Sequence, residues 1–213
     1  MYVPAHFAET RTSVLHELIR AHPLATLVTW DGGALTANHI PMEVVAGGEL
    51  GVLRGHVARG NPVWKAHRPE VDAMAVFQGP DDYITPSYYA TKRETGKVVP
   101  TWNYAVVHVH GPLRIIEDAA WLRALVEQLT DRHEADLPAG DARWKVSDAP
   151  EDFITGLLKA IVGVELPIAR IEGKWKVSQN RPEADRAGVA DGLARSPDPA
   201  RQAMAALVRD RGR

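Results

Sequence analysis

The chain has 213 residues, 45% of them hydrophobic, which is enough for one large domain or for a domain with an appendage. A formal net charge of −2 argues against general attraction to nucleic acid or to an anionic membrane surface. The lack of cysteine excludes a disulfide framework and a thiolate metal site. No apolar run approaches the roughly 18 residues of a membrane span, and the start shows no basic-then-apolar signal pattern. We therefore expect a cytoplasmic protein with no membrane partner.

The first part of the chain predicts one helix followed by a meander of strands. Apolar residues at helical spacing indicate a helix over 10–21, which Pro23 ends. Alternating apolar stretches separated by glycine turns then favour strands that pair antiparallel with their neighbours. These three strands are expected at 24–30, 35–45 and 50–56.

The second part alternates strands with longer connections. Further strands are predicted at 71–79, 102–116 and 164–171, and helices at 119–133 and about 152–161. The sequence therefore predicts an α+β fold, mainly antiparallel β, arranged as a small six-stranded barrel with peripheral helices. We expect one domain over residues 1–180. Residues 181–213 are more polar and predict a solvated C-terminal tail, with room for a short helix from about Pro199 to Val208.

A first candidate binding motif follows the third strand, where His56, Arg59 and Asn61 precede Pro62. The guanidinium of Arg59 offers a planar set of donors that suits a phosphate, and His56 can add another. Asn61 is placed to cap a short helix running through His67, whose first N–H groups favour anions. The alternative is a strand end with an exposed arginine and a capping asparagine.

A second motif lies in the second strand, at Asn38 and His39. Small residues before them, Thr36 and Ala37, would let a ring approach the backbone closely. The amide of Asn38 both donates and accepts, which suits a ring edge that alternates carbonyl and N–H groups. The alternative is a strand whose polar side faces water.

The third motif is the richest, because Thr101, Trp102 and Asn103 lead into a strand that carries His108 and His110. Polar groups able to hold a ligand stand here beside large aromatic faces, which favours a flat, anionic cofactor. Residues two apart share one face of a strand, so the two histidines could bind a metal. No spacing fixes a third ligand, and we predict hydrogen bonding or an interface role for them, with no metal site.

A fourth motif lies near the end of the predicted domain, where Lys176 and Gln179 are candidates to contact a phosphate or a ring edge. An exposed edge strand protected by lysines is the alternative. The sequence shows no dinucleotide-binding or P-loop glycine pattern, no zinc-protease motif, no nucleophile elbow and no basic recognition helix.

Six motifs, in order along about residues 1–185, resemble the PaiB-type FMN-binding negative transcriptional regulators. They are Met1–Phe7, Ala37–Pro41, Gly55–Trp64, Tyr83–Tyr89, Val99–Tyr104 and Lys174–Asn180. The resemblance implies a split β-barrel that forms a homodimer and binds FMN in clefts between its subunits. It also implies a negative role in transcription, although no element of this sequence predicts direct DNA binding. An FMN-dependent oxidoreductase acting on a small molecule is the alternative.

With FMN as the implied cofactor, the candidate residues receive roles. We assign His56, Arg59 and Asn61 to the phosphate end, and Asn38 and His39 to the ring. The residues expected to close the cleft or add donors are Thr101, Trp102, Asn103, Lys176 and Gln179.

Overall fold

The computed structural model describes residues 1–138, 140 and 142–210, and it divides the chain into two units. We call Pro23–Val76 together with Val109–Ile171 the central unit. The terminal unit comprises Met1–His22, Phe77–His108 and the chain from Glu172 onward.

The described residues form nine strands and seven α-helices. The strands are β1 (Ala8–Glu9), β2 (Leu24–Trp30), β3 (Leu35–Val45), β4 (Val52–Ala58), β5 (Ala73–Ile84), β6 (Thr101–Gly111), β7 (Arg114–Ile116), β8 (Ile161–Pro167) and β9 (Arg170–Lys176). The helices are α1 (Thr12–Ala21), α2 (Val63–Ala66), α3 (Thr91–Thr95), α4 (Ala119–Ala135), α5 (Glu151–Leu158), α6 (Glu183–Ala194) and α7 (Pro199–Asp210). Short 3-10 turns lie at Ala5–Phe7, Pro86–Tyr88 and Val146–Asp148.

In the central unit the strands follow the order β5-β2-β3-β4-β8-β7, and all these pairings are antiparallel. The β2–β3 hairpin closes as predicted, because the carboxylate of Asp31 accepts the N–H groups of Gly33 and Ala34 at 2.8 Å each. Inward residues of these strands and of α4 supply the core: Ala25, Leu27, Met42, Leu53, Ala75, Leu122, Leu125, Val162, Val164 and Leu166.

The terminal unit has the strand order β1-β9-β6-β5, with β1 antiparallel to β9. Helix α1 buries Leu15, Leu18 and Ile19 on one face, as its apolar spacing predicted. The other large buried side chains of this unit come from its strands, from the Tyr89 segment and from the last two helices: Phe77, Ile84, Tyr89, Leu193 and Met204.

The α+β class and the antiparallel pairing are confirmed, whereas the six-stranded barrel is not: the described residues hold nine strands. The predicted fifth strand is divided because Pro112 lacks an N–H group and separates β6 from β7. The predicted sixth strand, 164–171, covers parts of two strands. The chain turns between β8 and β9, where the N–H groups of Ile168 and Ala169 donate to the carbonyls of Gly51 and His110.

The fourth strand is longer than predicted, because β5 continues through Pro80 to Ile84. Proline signals a strand end only where its missing N–H would have a partner. The β2 pairing of β5 covers only Met74–Val76, so Pro80 lies beyond it. The connection predicted from Pro80 to Pro100 is correspondingly short, and it contains α3.

The segment predicted as a polar tail contains two helices, α6 and α7, of which α7 includes the predicted short helix. Their apolar residues at i and i+4 are buried, at Val189 and Leu193 in α6 and at Met204 and Val208 in α7. Residues 211–213 of the predicted tail lie outside the described residues. The boundary placed at residue 180 stays a prediction.

Candidate functional site

Asn38 is the most informative residue of the predicted ring-binding pair. It lies in the first half of β3, which pairs with β2, and the next residue, His39, is exposed. The Asn38 Oδ1 accepts a hydrogen bond from Asn61 Nδ2 at 2.7 Å, which joins two of the predicted motifs. The Asn38 Nδ2 is buried and has no hydrogen-bond partner among the described residues. A buried amide donor left unpaired costs free energy, so this group favours an acceptor supplied from outside.

Asn61 lies just before α2, where it was predicted to cap a helix running through His67, but the cap residue is Pro62 and the helix ends at Ala66. The Asn61 Oδ1 accepts the N–H of Val63 at 3.0 Å, at the start of α2. Its amide nitrogen simultaneously holds Asn38. Both ends of this side chain are therefore fixed, and it orients Asn38.

His56 is half-buried on β4, opposite Gly163 of β8. Burial lowers the pKa of His56, because the low-dielectric surroundings disfavour the imidazolium. Its Nδ1 is buried without a partner in the described part of the chain. A neutral imidazole at this place can donate or accept one hydrogen bond, but a neutral ring attracts a phosphate less than an imidazolium does.

Arg59 is held by the protein itself. Its guanidinium donates to the carbonyl of Lys159 at 2.8 Å, to the Glu117 carboxylate at 2.6 Å and to the carbonyl of Ile161 at 3.2 Å. The Trp64 ring lies 5.5 Å from its Cζ. The role of Arg59 at a phosphate stays a prediction, and such a role requires it to exchange at least one of these acceptors.

A cleft of about 350 Å³ opens beside Arg59, between the first turn of α4 and helix α5. Arg123 pairs there with Glu151, as Arg59 does with Glu117. The sequence did not indicate this cleft, because its charged residues are spread over three distant segments. The lining residues are Arg59, Glu117, Ala119, Ala120, Leu122, Arg123, Glu151, Thr155, Leu158 and Lys159.

The other predicted residues lie in the terminal unit, where Lys176 connects β9 to β6. Its Nζ donates to Thr101 Oγ1 at 2.5 Å and to the carbonyl of Trp102. Burial lowers the pKa of Lys176, and the nearby cations Lys174 and Arg181 lower it further. Two of the predicted motifs therefore meet at one ammonium group.

Asn103 and Gln179 form hydrogen bonds with residues next to Lys176 in the chain. The buried amide of Asn103 exchanges hydrogen bonds with the Ser178 hydroxyl, at 3.0 and 3.3 Å. The Gln179 side chain accepts the N–H of Val177 at 2.8 Å and donates to the carbonyl of Trp175. Ser178 adopts a left-handed backbone, with φ of 70°, which these bonds support.

Trp102 is 56% exposed, and its ring meets that of Tyr83 edge to face with centroids 6.0 Å apart. Tyr83 is itself 42% exposed. Two large rings left open to solvent form an apolar surface that can pack against a flat ligand.

A pocket of about 50 Å³ lies beside Lys176 in the terminal unit. Three of its lining residues, Ser178, Asn180 and Arg181, were not among the predicted site residues. The first two belong to a motif that the sequence did indicate, whereas Arg181 was assigned to the polar tail. The full lining is Thr101, Asn103, Lys176, Ser178, Asn180 and Arg181.

The predicted site residues thus form two groups. Asn38, His39, His56, Arg59 and Asn61 lie in the central unit, and the other five lie in the terminal unit. Within the described residues, no group of three or more histidine, aspartate or glutamate side chains is placed to hold a metal ion.

The chemistry of both groups fits FMN. The unpartnered Asn38 amide and the half-buried His56 offer hydrogen bonds for a polar ring edge. The Trp102 ring offers an apolar face, and Lys176 with Arg181 offers positive charge for a phosphate. Each of these contacts, taken within its own unit, is of a kind that a flavin uses.

The fold is similar to that of proteins whose structures have been solved. The structure matches the flavocytochrome Anf3 from Azotobacter vinelandii with a TM-score of 0.57, at 16% sequence identity, covering 82% of this chain and 72% of that one. At this identity the match shows the fold alone. The chain therefore has a fold that is also found in a flavoprotein.

The family follows from the sequence matches. The family described as "Putative FMN-binding domain" matches residues 1–170. The protease synthase and sporulation protein PAI 2 of Bacillus subtilis is 30% identical over 211 residues, covering 99% of this chain and 98% of that protein. An uncharacterized protein of Emericella nidulans is 37% identical over 245 residues, covering 100% and 98%. The chain belongs to this FMN-binding family, which confirms the resemblance and the predicted cofactor.

None of the helices in the described part of the chain has the length and hydrophobicity needed to cross a membrane.

Proposed function

We propose that this protein is an FMN-binding regulatory flavoprotein in which Asn38 holds the polar edge of the flavin ring. The observation that carries the assignment is the Asn38 Nδ2, a buried donor without an acceptor in the described chain. Asn61 orients this amide through its 2.7 Å hydrogen bond. His39, the residue after Asn38 on β3, and His56 on β4 complete the proposed contacts of the central unit. Bound FMN supplies redox chemistry, and the protein groups near its ring tune its potential.

The terminal unit, taken by itself, offers a second set of proposed contacts. Trp102 offers an exposed ring face, and Lys176 orders the chain at Thr101 and Trp102 through its hydrogen bonds. Asn103 and Gln179 hold the backbone on which Lys176 and Ser178 lie. In this role they position the site.

The assignment is tested by comparing Asn38→Leu with the wild type. The freshly purified wild-type protein is expected to show a flavin absorbance spectrum and to gain thermal stability with added FMN, because a ligand that binds only the folded state stabilises it. Asn38→Leu removes one buried donor and is expected to weaken FMN binding about tenfold in a fluorescence titration.

A matched control is Gln128→Leu, which removes an amide from an exposed position of α4. It should leave FMN affinity within about twofold of the wild type. If Asn38→Leu also stays within that range, the ring assignment is wrong. A colourless protein that FMN does not stabilise would refute the flavin function itself.

A role in regulating transcription, as predicted, is supported by the full-length similarity to the Bacillus sporulation protein. Direct DNA binding has less support. Arg201 pairs with Asp82 at 3.0 Å and Arg209 with Asp191 at 3.2 Å, so two C-terminal arginines already have acidic partners. Deleting the gene from its host and measuring transcript levels would test the role. Promoter-fragment retention at physiological salt would show whether DNA is bound directly.

The homodimer and the cytoplasmic location belong to the same proposal. Leu35 of the central unit is 73% exposed, and a subunit contact would remove such apolar surface from water. Light scattering of the purified protein should give a mass near 46.6 kDa, twice the 23.3 kDa of one chain. A monomer at micromolar concentration would contradict the proposal.

The Tyr83–Trp102 pair favours a second candidate, an FMN-dependent oxidoreductase acting on a small molecule. Exposed rings beside a flavin could hold a flat substrate. Stopped-flow mixing of the FMN-loaded protein with NADH or NADPH tests it. Rapid bleaching of the flavin would support a reductase, and an unchanged spectrum would exclude that activity.

A further inference from the structure

Lys176 and Arg181 are cations without an acidic partner. Neither forms an ion pair within the part of the chain that the structure describes, and no carboxylate lines the pocket between them. By contrast, Arg54, Arg123 and Arg201 all pair with carboxylates. The positive charge of this pocket is therefore not neutralised by the protein.

A third cation, Lys174, adds to the positive charge near Lys176. Lys174 lies two residues before Lys176 on β9, so the two share one face of the strand. Its Nζ donates to the carbonyl of Tyr2 and lies 5.3 Å from the centre of the Tyr104 ring, contacts that carry no negative charge. Because Lys174 and Arg181 both lower the pKa of Lys176, the three charges act on one another. An anion bound among them would relieve this repulsion.

The pocket suits a small oxyanion with several acceptors. At about 50 Å³ it is too small for an aromatic ring system. Its lining offers the Lys176 ammonium, the planar donor set of Arg181, the Thr101 hydroxyl and the Asn180 amide. Two cations match the two charges of a phosphate monoester near neutral pH, and arginine forms paired hydrogen bonds with phosphate oxygens.

Arg181 is positioned for this role. Its guanidinium stacks over the ring of Tyr89, with Cζ 4.8 Å from the ring centre. Tyr89 is 2% exposed, which fixes the surface on which the arginine lies. Stacking leaves the edge of a guanidinium open for hydrogen bonds in its plane.

We propose that this pocket is a phosphate-binding site, with Lys176 and Arg181 as its charged ligands. The family match ends at residue 170, before either of these residues. The phosphate can belong to the FMN cofactor or to a second phosphorylated ligand. The first source rests on the proposed function, whereas the pocket itself does not.

The first experiment probes the pocket with inorganic phosphate alone, in protein from which any bound flavin has been removed. Raising potassium phosphate against potassium chloride at constant ionic strength is expected to increase the melting temperature of the wild-type protein. Lys176→Gln and Arg181→Gln should each weaken phosphate binding about tenfold or more, because each removes a charge-assisted hydrogen bond. Lys176→Arg keeps the charge and should retain most of the response.

The matched control is Lys97→Gln, at an exposed lysine of the same unit. It should respond to phosphate as the wild type does. No response in the wild type, or an equal response in the wild type and both pocket variants, would overturn the proposal.

The second experiment identifies the source by comparing FMN with riboflavin, which lacks the phosphate. If the cofactor's phosphate occupies the pocket, Lys176→Gln and Arg181→Gln weaken FMN binding about tenfold and leave riboflavin binding unchanged. Saturating FMN then abolishes the response to inorganic phosphate. If a second ligand occupies it, the response persists in the FMN-saturated protein. A protein that binds no flavin would refute the proposed function, while the first experiment would still decide the pocket.

Discussion

The carboxylate of Asp185 accepts hydrogen bonds from two groups of Thr91, a residue 94 positions earlier in the chain. The backbone N–H and the hydroxyl of Thr91 both lie 2.9 Å from its carboxylate oxygens. Asp185 is only 1% exposed, so these bonds form away from water. Helix α6 therefore holds the start of α3 through one side chain.

Replacing Asp185 by alanine should destabilise the protein by about 1–3 kcal/mol, because a buried N–H and hydroxyl lose their acceptor. Thr91→Val should cost less, since the backbone N–H keeps its bond. Urea denaturation of both single variants and the double variant measures the coupling. Asp191→Ala is the control: its exposed pair with Arg209 should contribute less than about 1 kcal/mol. Equal losses at 185 and 191 would contradict this prediction.

Gly188 and Gly192 leave a groove on α6 that Tyr88 fills. A Cβ at position 188 would come within 2.1 Å of the Tyr88 carbonyl oxygen, and one at 192 within 2.5 Å of its ring. We expect Gly188→Ala to destabilise the protein by about 1–3 kcal/mol, since the backbone of Tyr88 must move.

The same substitution at Gly156 should have the opposite sign. Gly156 lies inside α5, and no atom lies within 4 Å of a Cβ built there. Alanine should stabilise that helix by up to about 1 kcal/mol. Thermal unfolding of both variants provides the comparison, and a stabilising Gly188→Ala would show that Tyr88 does not need the groove.

Arg59→Met should lower stability by about 1–3 kcal/mol even without FMN, because the side chain loses hydrogen bonds to Glu117 and to two carbonyl groups. Arg93→Met, at an exposed arginine of α3, is the control and should change stability by less than about 0.5 kcal/mol. The ratio of FMN to riboflavin affinity in Arg59→Met tests the sequence-based assignment separately. A fall in that ratio would show that Arg59 also binds the phosphate.

The stability of the protein should decrease as the pH falls below the ordinary histidine pKa of about 6.5. Burial lowers the pKa of both His22 and His56 in the folded protein. Since the unfolded chain then binds protons more readily, their contribution is present above the unfolded pKa and is lost as the pH drops toward the folded value.

His22→Gln and His56→Gln should each flatten this pH dependence. Urea midpoints between pH 5 and 8 measure the change for each variant. Combining both substitutions should flatten it most. If the double variant loses stability on acidification as steeply as the wild type, these two histidines are not its cause.

The sequence predicted those parts of the fold whose signals are local. The Asp31–Gly33 turn marked the β2–β3 hairpin, and apolar spacing marked α1. It missed β9 as a separate strand, because the turn before it depends on backbone bonds to Gly51 and His110, far away in the sequence. The buried apolar pairs of α6 were hidden among polar residues.

The candidate site was predictable to a similar extent. Motifs indicated Asn38 and Lys176, because amide and ammonium groups beside small or aromatic residues suggest a ligand. They could not show that Arg59 is held by Glu117, or that Arg181 returns beside Lys176. The first pairing joins residues 58 positions apart, and the second depends on the left-handed turn at Ser178 and on the Tyr89 ring, neither of which residue patterns encode.

The groove of α6 also bears on how shorter versions of this protein should be designed. Ending the chain before Glu183 to obtain a smaller product for expression would uncover Tyr88 and leave the Thr91 N–H without its acceptor. Such a product would be prone to aggregation, and its failure in a DNA or cofactor assay would report misfolding and not a lost ligand contact.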